Sequence, residues 1–174
     1  IMCAVPTIFQ AVLNNDISQK YDLSSLQYCI SGGAPLPAEV KRSFEDVAEC
    51  VVVEGYGMSE TSPVVASNPL HGLNKPGSIG NLWTGIELSI RDVDDHTKPV
   101  EEGASGELCF KGPNVMAGYY GNPESTQNSF VDGFFRSGDV GHVDDEGYLF
   151  IDDRLKDMII CSGYKVYPKA IEEA

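Results

Sequence analysis

Cys50-Val-Val-Val-Glu-Gly-Tyr-Gly-Met-Ser-Glu-Thr61 passes within one short stretch from a β-branched run to a loop. That loop crowds an aromatic ring, two glycines, two aliphatic hydroxyls and two carboxylates. The run Cys50–Val53 predicts a buried strand that ends at a turn. Working upstream, Leu26-Gln-Tyr-Cys-Ile30 is a second short apolar run, and it stops at Gly32-Gly33. Between the two, Pro37 to Ala48 carries Val40, Phe44, Val47 and Ala48 on one face, which predicts an amphipathic helix. The order strand, loop, helix, strand, loop describes a βαβ unit with a parallel sheet, whose ligands sit at the carboxyl ends of the strands. Further upstream, Pro6 followed by Ile8, Phe9, Val12 and Leu13 predicts a short helix with proline near its start.

Downstream the texture changes at about Lys75, where glycines and prolines recur every few residues. Short strands are predicted at Ile86 to Asp92, Glu107 to Lys111, Phe134 to Arg136 and Tyr148 to Ile151, a small antiparallel β unit. Pro123 to Phe130 predicts one or two helical turns inside it. A third texture starts near Asp152-Asp153-Arg154, where charges give way to Met158-Ile-Ile-Cys161 and then Val166-Tyr-Pro168. It reads as the first strand of another domain. The expected division is therefore 1–75, 76–152 and 153–174. The chain opens on Ile1-Met2 within an apolar segment and stops at Ile171-Glu-Glu-Ala174 within a helical pattern, so it reads as a piece of something longer.

Composition narrows the function. With 12 Lys plus Arg against 26 Asp plus Glu, the formal charge is −14. Such an acid excess repels phosphate backbones and anionic lipid, which argues against a nucleic-acid partner. A small nucleotide stays compatible, because backbone N–H groups and a bound cation supply local positive potential. No apolar run approaches the ~20 residues of a membrane helix, and no basic-then-apolar leader is visible. The five cysteines are scattered, without C-x-x-C spacing and without a histidine pattern beside them. Reduced thiols in the cytoplasm are the expectation, rather than a disulfide framework or a structural zinc site.

Two loops carry the chemistry. Ser31-Gly-Gly-Ala-Pro-Leu36 lets backbone approach a flat ligand, although a tight structural turn explains paired glycines equally well. In Glu54-Gly-Tyr-Gly-Met-Ser-Glu-Thr61, Tyr56 can stack on a base, a hydroxyl can bond phosphate and Glu60 can hold a hard cation. The alternative there is a capped turn in which Ser59 or Thr61 satisfies backbone amides. No phosphate-cradling G-x-x-x-x-G-K-[ST] is present, and Gly55-x-Gly57 lacks the third glycine of a dinucleotide fingerprint. Gly57-Met-Ser-Glu-Thr61 nearly spells a nucleophile elbow but ends in threonine where glycine is needed. Later, Arg136-Ser-Gly-Asp139 places one carboxylate after a glycine, suited to accepting two ribose hydroxyls or simply to a solvated loop. Asp153-Arg-Leu-Lys-Asp157 reads as a charged linker that can also be a site.

Taken in order, these segments resemble the adenylate-forming superfamily in its acyl-CoA synthetase branch, a long-chain fatty-acid–CoA ligase before an aryl one. The matching stretches are Ser31–Leu36, Tyr56–Thr61, Lys75-Pro-Gly-Ser-Ile-Gly80, Gly106-Glu-Leu to Gly112, Gly118-Tyr-Tyr, Arg136–Asp139, Asp153–Asp157 and Gly163-Tyr-Lys-Val-Tyr-Pro168. The resemblance implies an α/β plus β fold, the end of a large N-terminal domain. A parallel βαβ layer would lead into a small distorted β-barrel, followed by a stub of the small C-terminal domain. It implies a ligase that turns a carboxylic acid and ATP into an acyl-adenylate and pyrophosphate, after which CoA displaces AMP. ATP, Mg²⁺ and CoA are the implied small molecules, with no nucleic acid and no transmembrane segment; a peripheral membrane contact of the parent is left open.

Carried over by position, Gly33, Ala34 and Pro35 would flank the adenine, with Gly55 and Tyr56 as its other wall. Ser59 would touch the α-phosphate, Glu60 would hold Mg²⁺, Asp139 would take the ribose hydroxyls and Arg154 would lie near them. Lys156 matches a hinge, and Gly57, Met58 and Gly80 border the acyl pocket. Ser59 departs from the family's commoner threonine while keeping the hydroxyl. The family's phosphate loop and its catalytic lysine match nothing in these residues, so the chain alone is expected to be inactive, leaving a non-catalytic nucleotide-binding module as the alternative.

Overall fold

The computed structural model describes residues 1–15, 17–161 and 164–166. Strand β1 (Met2–Ala4), helix α1 (Pro6–Asn14), the short α2 (Ile17–Lys20), β2 (Tyr28–Ser31), α3 (Ala38–Ala48) and β3 (Val51–Gly57) form the expected α/β layer. β1, β2 and β3 are parallel neighbours, with Cys29 opposite Val52 and Ser31 opposite Glu54. α1 and α3 cover this sheet, and Phe9 meets Phe44 edge to face at 4.9 Å. Around them Cys29, Leu36, Val40, Ala48, Cys50 and Val52 close the first core. Burial pushes the Cys50 thiol up to about 12, which keeps it a protonated, inert core group.

One detail of α3 departs from its periodicity. Val47 is 43% exposed, and Lys41 takes the place expected of it at 7%. The buried arc runs from Val40 through Phe44 and Ala48 to Lys41, so Val47 falls just outside it. The Lys41 stem packs inward while its ammonium donates to Asn74 Oδ1 at 2.9 Å. Phe44→Ala should therefore cost about 3–5 kcal/mol in a denaturant titration, whereas Val47→Ala should stay within about 0.5 kcal/mol.

β3 is longer than its sequence suggests, and Gly55 and Tyr56 lie in the strand rather than in a loop. The reason is β4 (Val64–Ser67), which returns antiparallel and pairs Tyr56 with Ala66 and Gly57 with Val64. Gly57 sits so close to this turn that an added Cβ would meet the Pro63 carbonyl oxygen at 1.7 Å. β5 (Asn81–Leu82) completes the first sheet at the edge of β4.

The second sheet has the order β10-β9-β7-β6, built from β6 (Glu87–Arg91), β7 (Gly106–Lys111), β9 (Phe134–Val143) and β10 (Leu149–Arg154). Helix α4 (Pro123–Asn128), capped by the Asn122 side chain, leads into β8 (Phe130–Val131), which pairs with β9. A bridge between Gly80 and Leu149 joins the two sheets into one curl. Gly80 makes the joint possible: its φ is +81°, and a Cβ would lie 1.9 Å from the Ser67 carbonyl carbon. Inside the curl pack Val65, Ala66, Leu108, Phe110 and Leu149, with Tyr56, Ile79 and Leu82 at their edge. β11 (Ile159–Cys161) and β12 (Tyr164–Val166) form a separate antiparallel pair at the place expected for a new strand. The predicted helix beyond Pro168 lies outside the described residues. Among the described residues no helix is long and apolar enough to cross a membrane.

Candidate functional site

The site is built where β9 departs from regular pairing. Arg136 faces Cys109 and Val140 faces Glu107, so Ser137, Gly138 and Asp139 stand opposite Leu108 alone. The segment read from sequence as a loop is thus a bulge within a ten-residue strand, a device that re-aims side chains. Three bonds hold it. The Ser137 hydroxyl donates to the Leu108 carbonyl at 2.7 Å, the Asp139 N–H donates to Ser137 Oγ at 3.0 Å, and the Gly138 N–H donates to Glu107 Oε1 at 3.2 Å. Glu107 is buried and takes Arg136 Nε on its other oxygen at 2.9 Å. A buried carboxylate so paired escapes the desolvation cost of an orphaned charge.

Asp139 is 6% exposed and each of its carboxylate oxygens has a partner. The Tyr56 hydroxyl donates to Oδ2 at 2.5 Å, and Arg154 Nε lies 3.2 Å from Oδ1. Burial, reinforced by the adjacent Asp139 charge, pushes the Tyr56 hydroxyl well above its ordinary range, so it remains a donor. The Tyr56 ring rests against Phe110 with centroids 5.9 Å apart. Arg154, read from sequence as part of a linker, ends β10 directly opposite Asp139. The Leu155 N–H then donates to the Gly138 carbonyl at 2.9 Å, which ties the start of the next turn to the bulge. Lys156 is exposed in that turn, two residues beyond Arg154.

At the carboxyl end of β3, Met58 leads into a single 3-10 turn, Ser59–Thr61. Of the two hydroxyls left open by the sequence, Thr61 caps the turn. It is fully buried, accepts the Met58 N–H at 3.1 Å and bonds the Pro63 carbonyl at 2.8 Å. Ser59 is exposed and takes no part in this cap. Glu60 beside it is half-buried, with Oε1 accepting the Tyr119 hydroxyl at 2.9 Å. Burial and this carboxylate raise the Tyr119 hydroxyl above its usual value. Gly33, Ala34 and Pro35 are exposed just past β2. Their loop adjoins β3, since a Cβ on Gly32 would lie 3.3 Å from the Gly55 carbonyl. Gly80 lies across Ser67 from Gly55, on the far side of β4.

The structure therefore gathers residues 55–60, Asp139 and Arg154 into one region, at the carboxyl ends of β3 and β10 and the bulge of β9, with the 33–35 loop beside it. Three contributors carried no role in the sequence reading: Glu107, Asn114 and Tyr119. Glu107 and Tyr119 stand within stretches that carry the resemblance, but nothing in the sequence assigns either side chain a partner. Asn114 donates to the carbonyls of both Thr61 and Val64, at 2.6 and 2.9 Å.

A hard cation fits the donor set. Glu60 and Ser59 offer oxygen and no sulfur or imidazole. Among the described residues no three His, Cys, Asp or Glu side chains converge as a metal cage. One carboxylate, with remaining positions filled by water and phosphate, is the arrangement Mg²⁺ favours.

Comparison with known proteins identifies the family. A family model described as "AMP-binding enzyme" matches residues 1–120. The chain is 46% identical over 171 residues to a long-chain-fatty-acid–CoA ligase of Bacillus subtilis (strain 168), covering 97% of this chain and 30% of that protein. The ATP-bound crystal structure of MatB from Rhodopseudomonas palustris matches with a TM-score of 0.85 at 37% identity, over 98% of this chain and 34% of that one. O-succinylbenzoate coenzyme A synthetase (MenE) from Bacillus subtilis, in complex with ATP and magnesium ion, gives 0.81 at 30% identity, over 99% and 35%. The chain thus spans about a third of the length of the relatives it matches. Its sequence matches that family over most of its length and its fold recurs in these ligases, so the chain belongs to the AMP-binding enzyme family.

Proposed function

We propose that this chain is the nucleotide-facing part of a longer AMP-forming acid–thiol ligase, which activates a carboxylic acid with ATP and passes the acyl group to CoA. A long-chain fatty acid is the first-choice substrate, on the identity to the Bacillus subtilis ligase. An aryl acid is the second, favoured by the likeness to MenE. The observation that carries the reading is Asp139, a buried carboxylate whose two oxygens are held by Tyr56 and Arg154. In this proposal residues 1–75 and 76–152 are two subdomains of the large domain, and 153–174 is a hinge centred on Lys156 with the start of the small domain. Free, buried Cys29, Cys50 and Cys109 suit a reducing cytoplasm.

Each role follows from chemistry already described. A carboxylate has about four acceptor positions, so Asp139 can keep Tyr56 and Arg154 and still accept two ribose hydroxyls. Gly33, Ala34 and Pro35 present exposed backbone to one face of the base, and Gly55 with Tyr56 walls the other. The Ser59 hydroxyl, outside the turn's cap, is free to donate to an α-phosphate oxygen. Glu60 would hold Mg²⁺, which when bound neutralises phosphate charge. Gly57, Met58 and Gly80 would border the acyl pocket, the two glycines by letting the backbone of β4 pack closely against them. The acid is already an anion at neutral pH, so the site needs no general base to make its nucleophile. Its work is placement and charge neutralisation.

The test uses the 174-residue chain and the longer ligase side by side, with ATP, Mg²⁺, CoA and a panel of fatty and aryl acids. The longer ligase should release pyrophosphate and form thioester, with its preferred acid identifying the substrate class. The chain alone should bind AMP and form no thioester above the enzyme-free background, because the cationic groups that face the departing pyrophosphate lie elsewhere. A longer protein that releases no pyrophosphate with any acid would overturn the reading.

A further inference from the structure

The segment from Gly112 to Tyr119 lies along the turn that carries Ser59 and Glu60 and touches it at three successive points. Asn114 Nδ2 donates to the Thr61 and Val64 carbonyls, the Met116 N–H donates to the Glu60 carbonyl at 2.8 Å, and the Tyr119 hydroxyl donates to Glu60 Oε1 at 2.9 Å. The first two fix the backbone of the turn. Only the third reaches the side chain. Tyr119 is in turn fixed from behind, since its N–H donates to Thr126 Oγ1 at 2.9 Å and its carbonyl accepts the Asn122 N–H at 3.1 Å. α4, capped by Asn122, thus serves as the anchor for a hydroxyl that meets a carboxylate at the rim of the site.

We infer that Tyr119 is a positioning residue: its hydroxyl holds the Glu60 carboxylate in the rotamer that presents the other oxygen to the divalent cation of the nucleotide. The inference rests on the reading of Glu60 given above. A glutamate at a turn has three rotatable bonds and, unheld, spends them in several orientations. A hydrogen bond from one side removes that freedom before the cation arrives. Partners of metal-binding carboxylates that act this way typically govern affinity by ~10–100-fold. The hydroxyl bonds none of the groups proposed for the base and ribose, Tyr56, Asp139 and Arg154.

The experiment compares Tyr119→Phe, Glu60→Gln and the double variant in the longer ligase. Mn²⁺ binding is read by electron paramagnetic resonance in the presence of a non-hydrolysable ATP analogue, and AMP affinity by calorimetry without metal. Tyr119→Phe should weaken Mn²⁺ binding ~10-fold and leave AMP affinity within twofold of the parent. In the Glu60→Gln background the same change should have no further effect, because the group it orients has gone. Mn²⁺ affinity within twofold of the parent in Tyr119→Phe would overturn the inference, and so would an equal loss of AMP and Mn²⁺ affinity, which marks a loop that has merely come loose. If Glu60→Gln itself leaves Mn²⁺ binding unchanged, it is the assignment of Glu60 that fails, and the inference with it.

Discussion

Asp139→Ala in the longer ligase should weaken ATP binding by ~10²–10⁴-fold. Two ribose hydroxyls donating to an ionised carboxylate are each worth about 1.5–3 kcal/mol, and alanine removes both acceptors. The substitution also strands the Tyr56 hydroxyl inside the protein and leaves Arg154 without the carboxylate it faces. Asp139→Asn separates these effects, since the amide oxygen can still accept while the charge is lost. It should fall between parent and alanine variant in a calorimetric titration with ATP or AMP. Nucleotide affinity within twofold of the parent in the alanine variant would reject Asp139 as the ribose ligand.

The two glycines that flank β4 should be the least replaceable positions of the fold. At Gly57 and Gly80 an added Cβ would lie 1.7 and 1.9 Å from backbone atoms of Pro63 and Ser67. No side chain can swing away to make room, and at Gly80 the positive φ adds strain for any L-residue. Either alanine substitution should cost about 4 kcal/mol or more, in the tail that only a forced backbone shift produces. For a domain of this size that lowers Tm by ~8–16 °C. Alanine at Gly121, where a Cβ would meet nothing within 4 Å, is the control that carries positive φ without the clash. A Gly57→Ala variant that melts with the parent would show that the β3–β4 turn is looser than its contacts imply.

The βαβ layer was legible because it is a local pattern. Val40, Phe44 and Ala48 recur at helical spacing, and Cys50–Val53 is a short β-branched run, so neighbours in sequence declare their own element. What the sequence concealed depends on partners far along the chain. Gly55-Tyr-Gly57 reads as a loop until β4 returns to pair with it. Arg136-Ser-Gly-Asp139 reads as a loop because nothing local announces that Glu107, a strand away, will hold the Gly138 amide. The carboxylates and hydroxyls of the candidate site could be picked out as residue types, aided by resemblance to a family. Their neighbours could not: Tyr119 and Glu60 are 59 positions apart, and Tyr56 and Asp139 are 83.

The Leu155–Gly138 bond and the Arg154–Asp139 pair put the proposed ribose ligand and the proposed pivot on one short, continuous lever. A rotation centred on Lys156 must either carry Arg154 away from Asp139 or leave it as the fulcrum. Whatever free energy the nucleotide invests in keeping that pair together would then be withheld from, or lent to, the orientation of the proposed small domain. Thermodynamic linkage makes this exchange symmetric. If one domain orientation tightens the grip on AMP by some factor, AMP favours that orientation by the same factor. On the proposed roles, departure of the spent nucleotide and resetting of the hinge would be two descriptions of a single equilibrium, read from opposite ends of three residues.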